Sequence, residues 1–144
     1  MLTIKPFSEL TTLEFFEIAK LRIDVFVTEQ KITAPELDEI DKMAYHVFTT
    51  DQDGHVIATA RFFKENGKFL IGRVAVAREH RHEHLGAQVM AAIFTFLTTK
   101  QLATEVYVHA QDQAVGFYQK LGFLPVGAPF TEAGIEHQMM VKHL

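Results

Sequence analysis

The chain has no cysteine. That excludes disulfides, a cysteine-ligated zinc site and a cysteine nucleophile, and it leaves the cellular compartment open. No basic block occurs, and the formal net charge is −4, which argues against nucleic acid as a main partner. No apolar run is long enough to cross a bilayer, so no membrane partner is expected. The start, Met1-Leu2-Thr3-Ile4-Lys5-Pro6, lacks the basic residues and apolar stretch of a signal peptide. Repeats, low-complexity tracts and linkers are absent as well. The 144 residues are 48% hydrophobic, so one domain, 1–144, with a real core is expected, soluble and cytoplasmic.

The patterns that are present alternate between two periods. Residues 2–5 read as a short edge strand. Thr11-x-x-Glu14 reads as a capping box. The helix it opens carries Phe15, Ile18, Arg22, Val25, Phe26 and Glu29 on one face, which turns from apolar to charged. Residues 31–42 are acidic, contain Pro35 and read as a loop. Strands are expected near 44–50, 55–64 and 68–77, with turns at Asp51-Gln52-Asp53-Gly54 and Asn66-Gly67. A helix over 85–99 is the clearest element. Strands near 104–110, 123–127 and 136–142 follow, with a short helix capped by Asp112 and ending near Gly122 between the first two. Antiparallel strands first and α/β units later give a mixed α/β sheet with helices on both faces.

One junction carries chemistry. The β-branched strand Arg73-Val74-Ala75-Val76 runs into the polar loop Ala77–Glu83, and a helix opens at Leu85-Gly86. Unpaired N–H groups and the positive end of the helix dipole meet there, as an anion site requires. His80, His82 and His84 alternate along that loop. No cysteine or carboxylate pair completes a metal set, so a solvated loop is the favoured reading and no metal is expected.

Arg81-His82-Glu83-His84-Leu85-Gly86 resembles the R-x-x-G-x-G/A pyrophosphate loop of the GCN5-related N-acetyltransferases (the GNAT superfamily). Asp112 to Phe123 resembles the N-x-x-A-x-x-F-Y-x-x-x-G-F segment of the same superfamily. Leu21–Gln30 is similar to the LR-x-x-VFV-x-EQ of its small ElaA-like branch, as are Pro35–Asp41 with His46, and Phe130–Met140. The resemblance covers nearly the whole chain. It implies a GNAT fold and transfer of an acetyl group from acetyl-CoA to a primary amine of a small molecule or peptide, by direct attack.

The resemblance also implies roles. The backbone of Val74, Ala75 and Val76 would pair with the pantetheine arm and polarise the thioester carbonyl. Arg81, His82, Glu83, His84, Leu85, Gly86 and Ala87 would cradle the pyrophosphate. His82 and His84 stand where glycines are usual, and a non-glycine held left-handed costs roughly 1–2 kcal/mol. Asp112 stands for the asparagine, with Ala114 and Phe117 beside the cofactor arm. Tyr118 would protonate the departing thiolate, a role suited to a phenol. Glu29 or His137 would be the base. Gln30, Arg61, Arg73 and His109 are acceptor-side candidates. If Arg61 and Arg73 both face the cleft, they favour an acceptor bearing a carboxylate or phosphate. A homodimer through an exposed C-terminal strand is a habit of the family. Two rivals remain: a GNAT-fold sensor or partner-binding module with impaired CoA binding, and an acyl-homoserine lactone synthase, to which the R-x-x-VF and acidic segments bear a faint similarity.

Overall fold

The computed structural model describes all 144 residues. Eight strands form one sheet: β1 (Thr3–Pro6), β2 (Tyr45–Thr50), β3 (Val56–Glu65), β4 (Lys68–Val76), β5 (Glu105–Gln111), β6 (Leu124–Pro125), β7 (Phe130–Glu132) and β8 (Ile135–His143). Their order is β1-β2-β3-β4-β5-β8-β6, with β7 also on β8. Every pairing is antiparallel except β4 with β5. The sheet is therefore mixed, as the sequence pattern implies. Because β5 flanks β8 on one side and β6 and β7 flank it on the other, the C-terminal strand is interior. This corrects the expectation of an exposed strand available for a dimer.

Helices cover both faces. On one, α1 (Thr12–Arg22) buries Ile18, Leu21 and Arg22. Its first turn is closed by the expected capping box: the Glu14 N–H donates to Thr11 Oγ1 (3.0 Å) and the Thr11 N–H to Glu14 Oε1 (2.9 Å). The chain then continues as a wider π-helical segment, Ile23–Glu29. A π segment is rare and frequently marks a functional site. Here it keeps Val25 and Phe26 buried while bringing Glu29 to Arg81 and Gln30 to Gln111, at the C-terminal ends of β4 and β5.

On the other face, α2 (Leu85–Thr99) buries Val89, Met90, Ile93 and Leu97 against Val47, Ala60, Phe62, Ile71 and Val108. The short α3 (Val115–Lys120) adds Tyr118 to the same core. Asp112 does not cap it. It opens a single 3-10 turn, Asp112–Ala114, and makes no side-chain cap bond. The hairpin between β3 and β4 turns at Asn66 (φ 51°) and Gly67 (φ 79°), the positive-φ pair that an Asn-Gly turn provides.

Strand β4 positions the site. It pairs with β5 at Leu70–Tyr107 and Ile71–Val108 only. Against β3, Thr59 faces Ala75 and Arg61 faces Gly72, so β4 spends one extra residue there. Such a bulge bends its strand and interrupts pairing. Arg73, inside it, has φ 52°. Beyond the bulge β4 and β5 diverge and a cleft opens between them.

Candidate active site

The cleft measures about 570 Å³. Ile71, Gly72, Arg73 and Val74 form its β4 wall, and His109, Gln111, Gln113, Ala114 and Tyr118 its β5 and α3 wall. The segment from Phe26 to Ile40 roofs it, and Glu132 to His137 closes one end.

The β4 edge facing the gap has free hydrogen-bonding capacity. The Ala77 N–H donates to the Ile57 carbonyl (2.8 Å), and Val76 stands opposite Ala58. Val76 thus occupies the non-bonded position towards β3, and its own N–H and carbonyl point into the gap. The carbonyl accepts from Arg81 Nε (3.1 Å). The N–H points from β4 towards the side on which β5 diverges, and the resemblance assigns it to polarising a thioester.

At the mouth lies the segment Arg78–Glu83, a 3-10 helix rather than an open loop, and then His84 at φ 58°, ψ 28°. The structure thus holds His84 left-handed at the family's glycine position. Its side chain is exposed. The N-terminus of α2 has no side-chain cap and no acidic residue in its first turn, so its donors remain available to an anion. A Cβ on Gly86 would stand 3.3 Å from the Phe117 ring. Glycine there lets α2 begin close against α3, and Phe117 supports the helix start from outside the cleft lining. His80 Nδ1 donates to Glu83 (2.6 Å), and His82 lies 3.8 Å from the same carboxylate. No group of three histidines and carboxylates gathers that could hold a metal.

Arg81 donates to Glu29 (2.9 Å). Glu29, expected as a base candidate, is therefore tied to the Arg78–Glu83 segment and is not among the cleft-lining residues. Its neighbour Gln30 does line the cleft and accepts from Gln111 Nε2 (3.4 Å) across the mouth. Gln111 also corrects the motif register. With Ala114 as the alanine of N-x-x-A-x-x-F-Y, the first position falls on Gln111, not Asp112. Gln111 lines the cleft and Asp112 does not.

Tyr118 is 8% exposed, packed edge-on against Phe117 and Phe123. Burial alone pushes its phenol up to about 12, so it stays protonated at neutral pH.

The arginines behave unlike the sequence expectation. Arg61 and Arg73 both line the cleft, but both are matched by carboxylates. Arg22 donates to Glu36 Oε2 (2.8 Å) and Asp41 Oδ1 (2.6 Å). Arg61 donates to Asp38 Oδ1 (2.6 Å) and Asp41 Oδ1 (2.9 Å). Arg73 Nε donates to Glu36 Oε2 (3.0 Å). Burial raises the Asp41 carboxyl, but bonds to Arg22 and the charge of Arg61 outweigh it and hold the group at about 2. Three guanidinium groups thus face three carboxylates, and the basis for an anionic acceptor disappears. The signal was in the acidic run 36–41; its partners lie far along the chain. His46, buried beside Phe7 and Phe15, donates from Nε2 to the Asp41 carbonyl (2.9 Å) and braces that network behind the cleft.

At the closed end, His137 is 6% exposed. Its Nδ1–H donates to the Ile135 carbonyl (2.8 Å), so that in the neutral ring the lone pair lies on Nε2. His109 Nδ1 donates to Glu132 Oε1 (3.1 Å). Phe130 stacks on His137 at 5.8 Å and meets His109 edge-on at 5.1 Å. The structure brings together Tyr118, His137, His109, Gln30 and the arginines around one cleft, and adds Glu132, which the sequence reading missed.

Residues 17–144 match the family model of an acetyltransferase (GNAT) domain. Protein ElaA of Escherichia coli (strain K12) is 32% identical over 142 residues, covering 95% of this chain and 92% of its own. Its crystal structure superposes with a TM-score of 0.90 at 30% identity, covering 99% of each chain. An acyl-CoA N-acyltransferase from Pseudomonas aeruginosa superposes at 0.89, with 31% identity and 99% of each chain covered. An aminoglycoside 6'-N-acetyltransferase complexed with coenzyme A shares the fold at 13% identity and a TM-score of 0.77, covering 98% of this chain and 96% of its own. A chain with this sheet, this divergence of β4 from β5 and these relatives belongs to the GNAT acetyltransferase family, in its ElaA-like branch.

Proposed function

We propose that the protein transfers an acetyl group from acetyl-CoA to a primary amine by direct attack. The observation that carries this reading is the cleft between β4 and β5, with Val74 on one wall and the buried Tyr118 on the other, and with the unpaired Val76 N–H next along the same edge of β4. Arg81 and the uncapped start of α2 would hold the phosphates, with Leu85, Gly86 and Ala87 supplying amides. Val74 and Val76 would hold the pantetheine arm, and the Val76 N–H would meet the carbonyl oxygen as charge develops. His137 Nε2, with its lone pair directed away from Ile135, would take a proton from the amine. The nitrogen forms a bond to the carbonyl carbon, the carbon–sulfur bond breaks, and Tyr118 gives its proton to the sulfur. Two protons leave the nitrogen over the cycle. One balances the new thiol and the other is released.

Calorimetric titration with acetyl-CoA, with ATP as control, tests the binding half. Saturable binding that exceeds ATP is expected. Tyr118→Phe then lowers turnover by about a hundredfold, the low end for general acid catalysis, with binding little changed. Unchanged turnover removes Tyr118 from the acid role. Two features favour a second reading, a module with weakened CoA binding. The left-handed His84 sets a side chain at the phosphate turn, and Glu29 already occupies Arg81. Absence of acetyl-CoA binding would select it.

A further inference from the structure

We infer that Glu132 is the residue that receives the acceptor, as an ammonium ion, and hands it to His137. The inference rests on the acetyl-transfer reading and adds to it the charge state in which the acceptor enters and the residue that selects it.

The first ground is the fate of the cleft's charges. Arg22, Arg61 and Arg73 are committed to Glu36, Asp38 and Asp41. Among the lining carboxylates, Glu65 and Glu132 have no arginine partner. Glu65 lies at the outer end of β3, whereas Glu132 stands over the two histidines. The hydrogen bond from His109 holds its carboxyl below the ordinary range, with burial opposing and the charges of His109, His137 and Arg73 assisting. It is therefore an anion at neutral pH, and the cleft offers an incoming ligand a negative charge.

The second ground is geometry. Glu132 Oε1 is occupied by His109. Glu132 Oε2 is 4.0 Å from His137 Nε2, and no hydrogen bond joins them. His137 is more than nine-tenths buried, its Nδ1 is satisfied by Ile135, and its Nε2 faces this gap with a lone pair. Two acceptors set apart in this way need a donor between them. Two N–H bonds of one tetrahedral nitrogen, each of about 2.8 Å donor to acceptor, reach sites roughly 4.6 Å apart. A small side-chain adjustment therefore seats an ammonium nitrogen against both groups. A neutral amine brings one lone pair and fewer donors, and a carboxylate meets like charge.

The third ground is the element that carries Glu132. Strand β7 is three residues long and reaches β8 through Ala133 (φ 53°) and Gly134 (φ 74°). It contributes no residue to the buried core. What it does contribute is Phe130, packed on both histidines, and Glu132 between them. In sequence of events, the ammonium binds Glu132 and His137, the proton passes to His137 Nε2, and the imidazolium so formed is left facing the Glu132 carboxylate. The freed amine then attacks.

The test uses the full chain, acetyl-CoA and two probe amines: benzylamine, an ammonium at pH 7, and aniline, neutral at pH 7. Thiol release gives kcat/KM, and histidine-ring NMR gives binding. Glu132→Gln should lower kcat/KM for benzylamine by roughly tenfold, the low end for losing a hydrogen bond to a charged group, and leave aniline within about twofold. Benzylamine should shift the His109 and His137 ring signals in the unsubstituted protein and require roughly tenfold more in the variant; benzyl alcohol, uncharged, should not shift them. Equal losses for both amines, or none for benzylamine, would overturn the role of Glu132 while leaving acetyl transfer standing. Glu132-dependent binding of benzylamine without any transfer would sink the enzymatic reading and leave the ammonium site. No binding and no reaction of benzylamine would overturn the inference. A thermal melt confirms that the half-exposed substitution leaves the fold intact.

Discussion

His82 and His84 look interchangeable in the sequence, and glycine substitutions at the two should act in opposite directions. His84 lies at φ 58°, ψ 28°, with an exposed side chain and no hydrogen bond from it. Replacing it by glycine removes a left-handed penalty of about 1 kcal/mol, near the bottom of the usual range because histidine tolerates this region better than most residues. The unfolded chain gains freedom, which takes back roughly half of that. The net expectation is a gain of about 0.5 kcal/mol, or roughly 1–2 °C in Tm for a chain of this size. His82 lies within the 3-10 segment Arg78–Glu83 and is not among the positive-φ residues. Glycine there relieves nothing and loosens a helical turn, a loss of roughly 0.5–1 kcal/mol. Urea titration of both variants beside the unsubstituted protein reads the two signs directly. Affinity for acetyl-CoA should rise in His84→Gly and not in His82→Gly, because only the first removes a Cβ from the turn that would face the phosphates. Two shifts of the same sign, or a destabilised His84→Gly, would refute the strain argument and with it the account of how the loop departs from its family.

Arg22→Met keeps much of the volume but leaves Glu36 with Arg73 and Asp41 with Arg61 alone, so that two guanidinium groups face three carboxylates; a loss of about 3–5 kcal/mol is expected by urea denaturation, and a loss under about 1 kcal/mol would show that the network is not structural. Asp41 should also govern acid stability. Its folded pKa, about 2, lies below the ordinary 3.8, so its contribution is present above the ordinary value and is lost as pH falls towards 2. That contribution is about 2 kcal/mol, and Asp41→Asn should flatten this part of the curve while lowering stability at pH 7. His46 acts earlier. Burial holds its pKa below the ordinary 6.5, so the folded state resists the proton that the unfolded state accepts, and stability should begin to fall as pH drops below 6.5. In His46→Phe that decline should be shallower between pH 6.5 and 5 when followed by urea midpoints, and an unchanged slope would remove His46 from the account.

Local patterns announced the elements well where local physics decides them. Helix α2 runs over 85–99 because its apolar residues recur at helical spacing and meet a sheet face. The Thr11–Glu14 cap and the Asn66-Gly67 turn are short-range devices with short-range signatures. The divergence of β4 from β5 has no such signature. It is an interruption of pairing set by the bulge at Arg73, and its one local hint is Gly72, a glycine inside a strand, which marks a bulge often but not uniquely. Strand β7 escaped notice for a related reason. Three residues beside an Ala-Gly turn carry too little alternation to register, so Glu132 fell within no expected element.

The arginines show how far a residue's meaning depends on distant partners. Arg61 and Arg73 do line the cleft, the condition set for them, yet their charges are matched by Glu36, Asp38 and Asp41, brought in by a segment twenty or more residues upstream of the nearer of the two. A charge seen in sequence is a capacity; the folded chain decides whether that capacity is spent inside the protein or kept for a ligand. In this molecule it is spent in the Arg22–Arg61–Arg73 network and kept elsewhere. Buried polar groups are ordinarily satisfied, so those left open towards a cleft define its chemistry more sharply than its charged residues do. Here they are the Val76 N–H, the Tyr118 phenol and His137 Nε2, with the free oxygen of the half-exposed Glu132 beside them. On the proposed reading they would supply a donor for a carbonyl oxygen, an acid for a leaving group, a base and an anchor for an ammonium ion. The guanidinium groups that first suggested an anionic acceptor hold the wall on which these four are mounted.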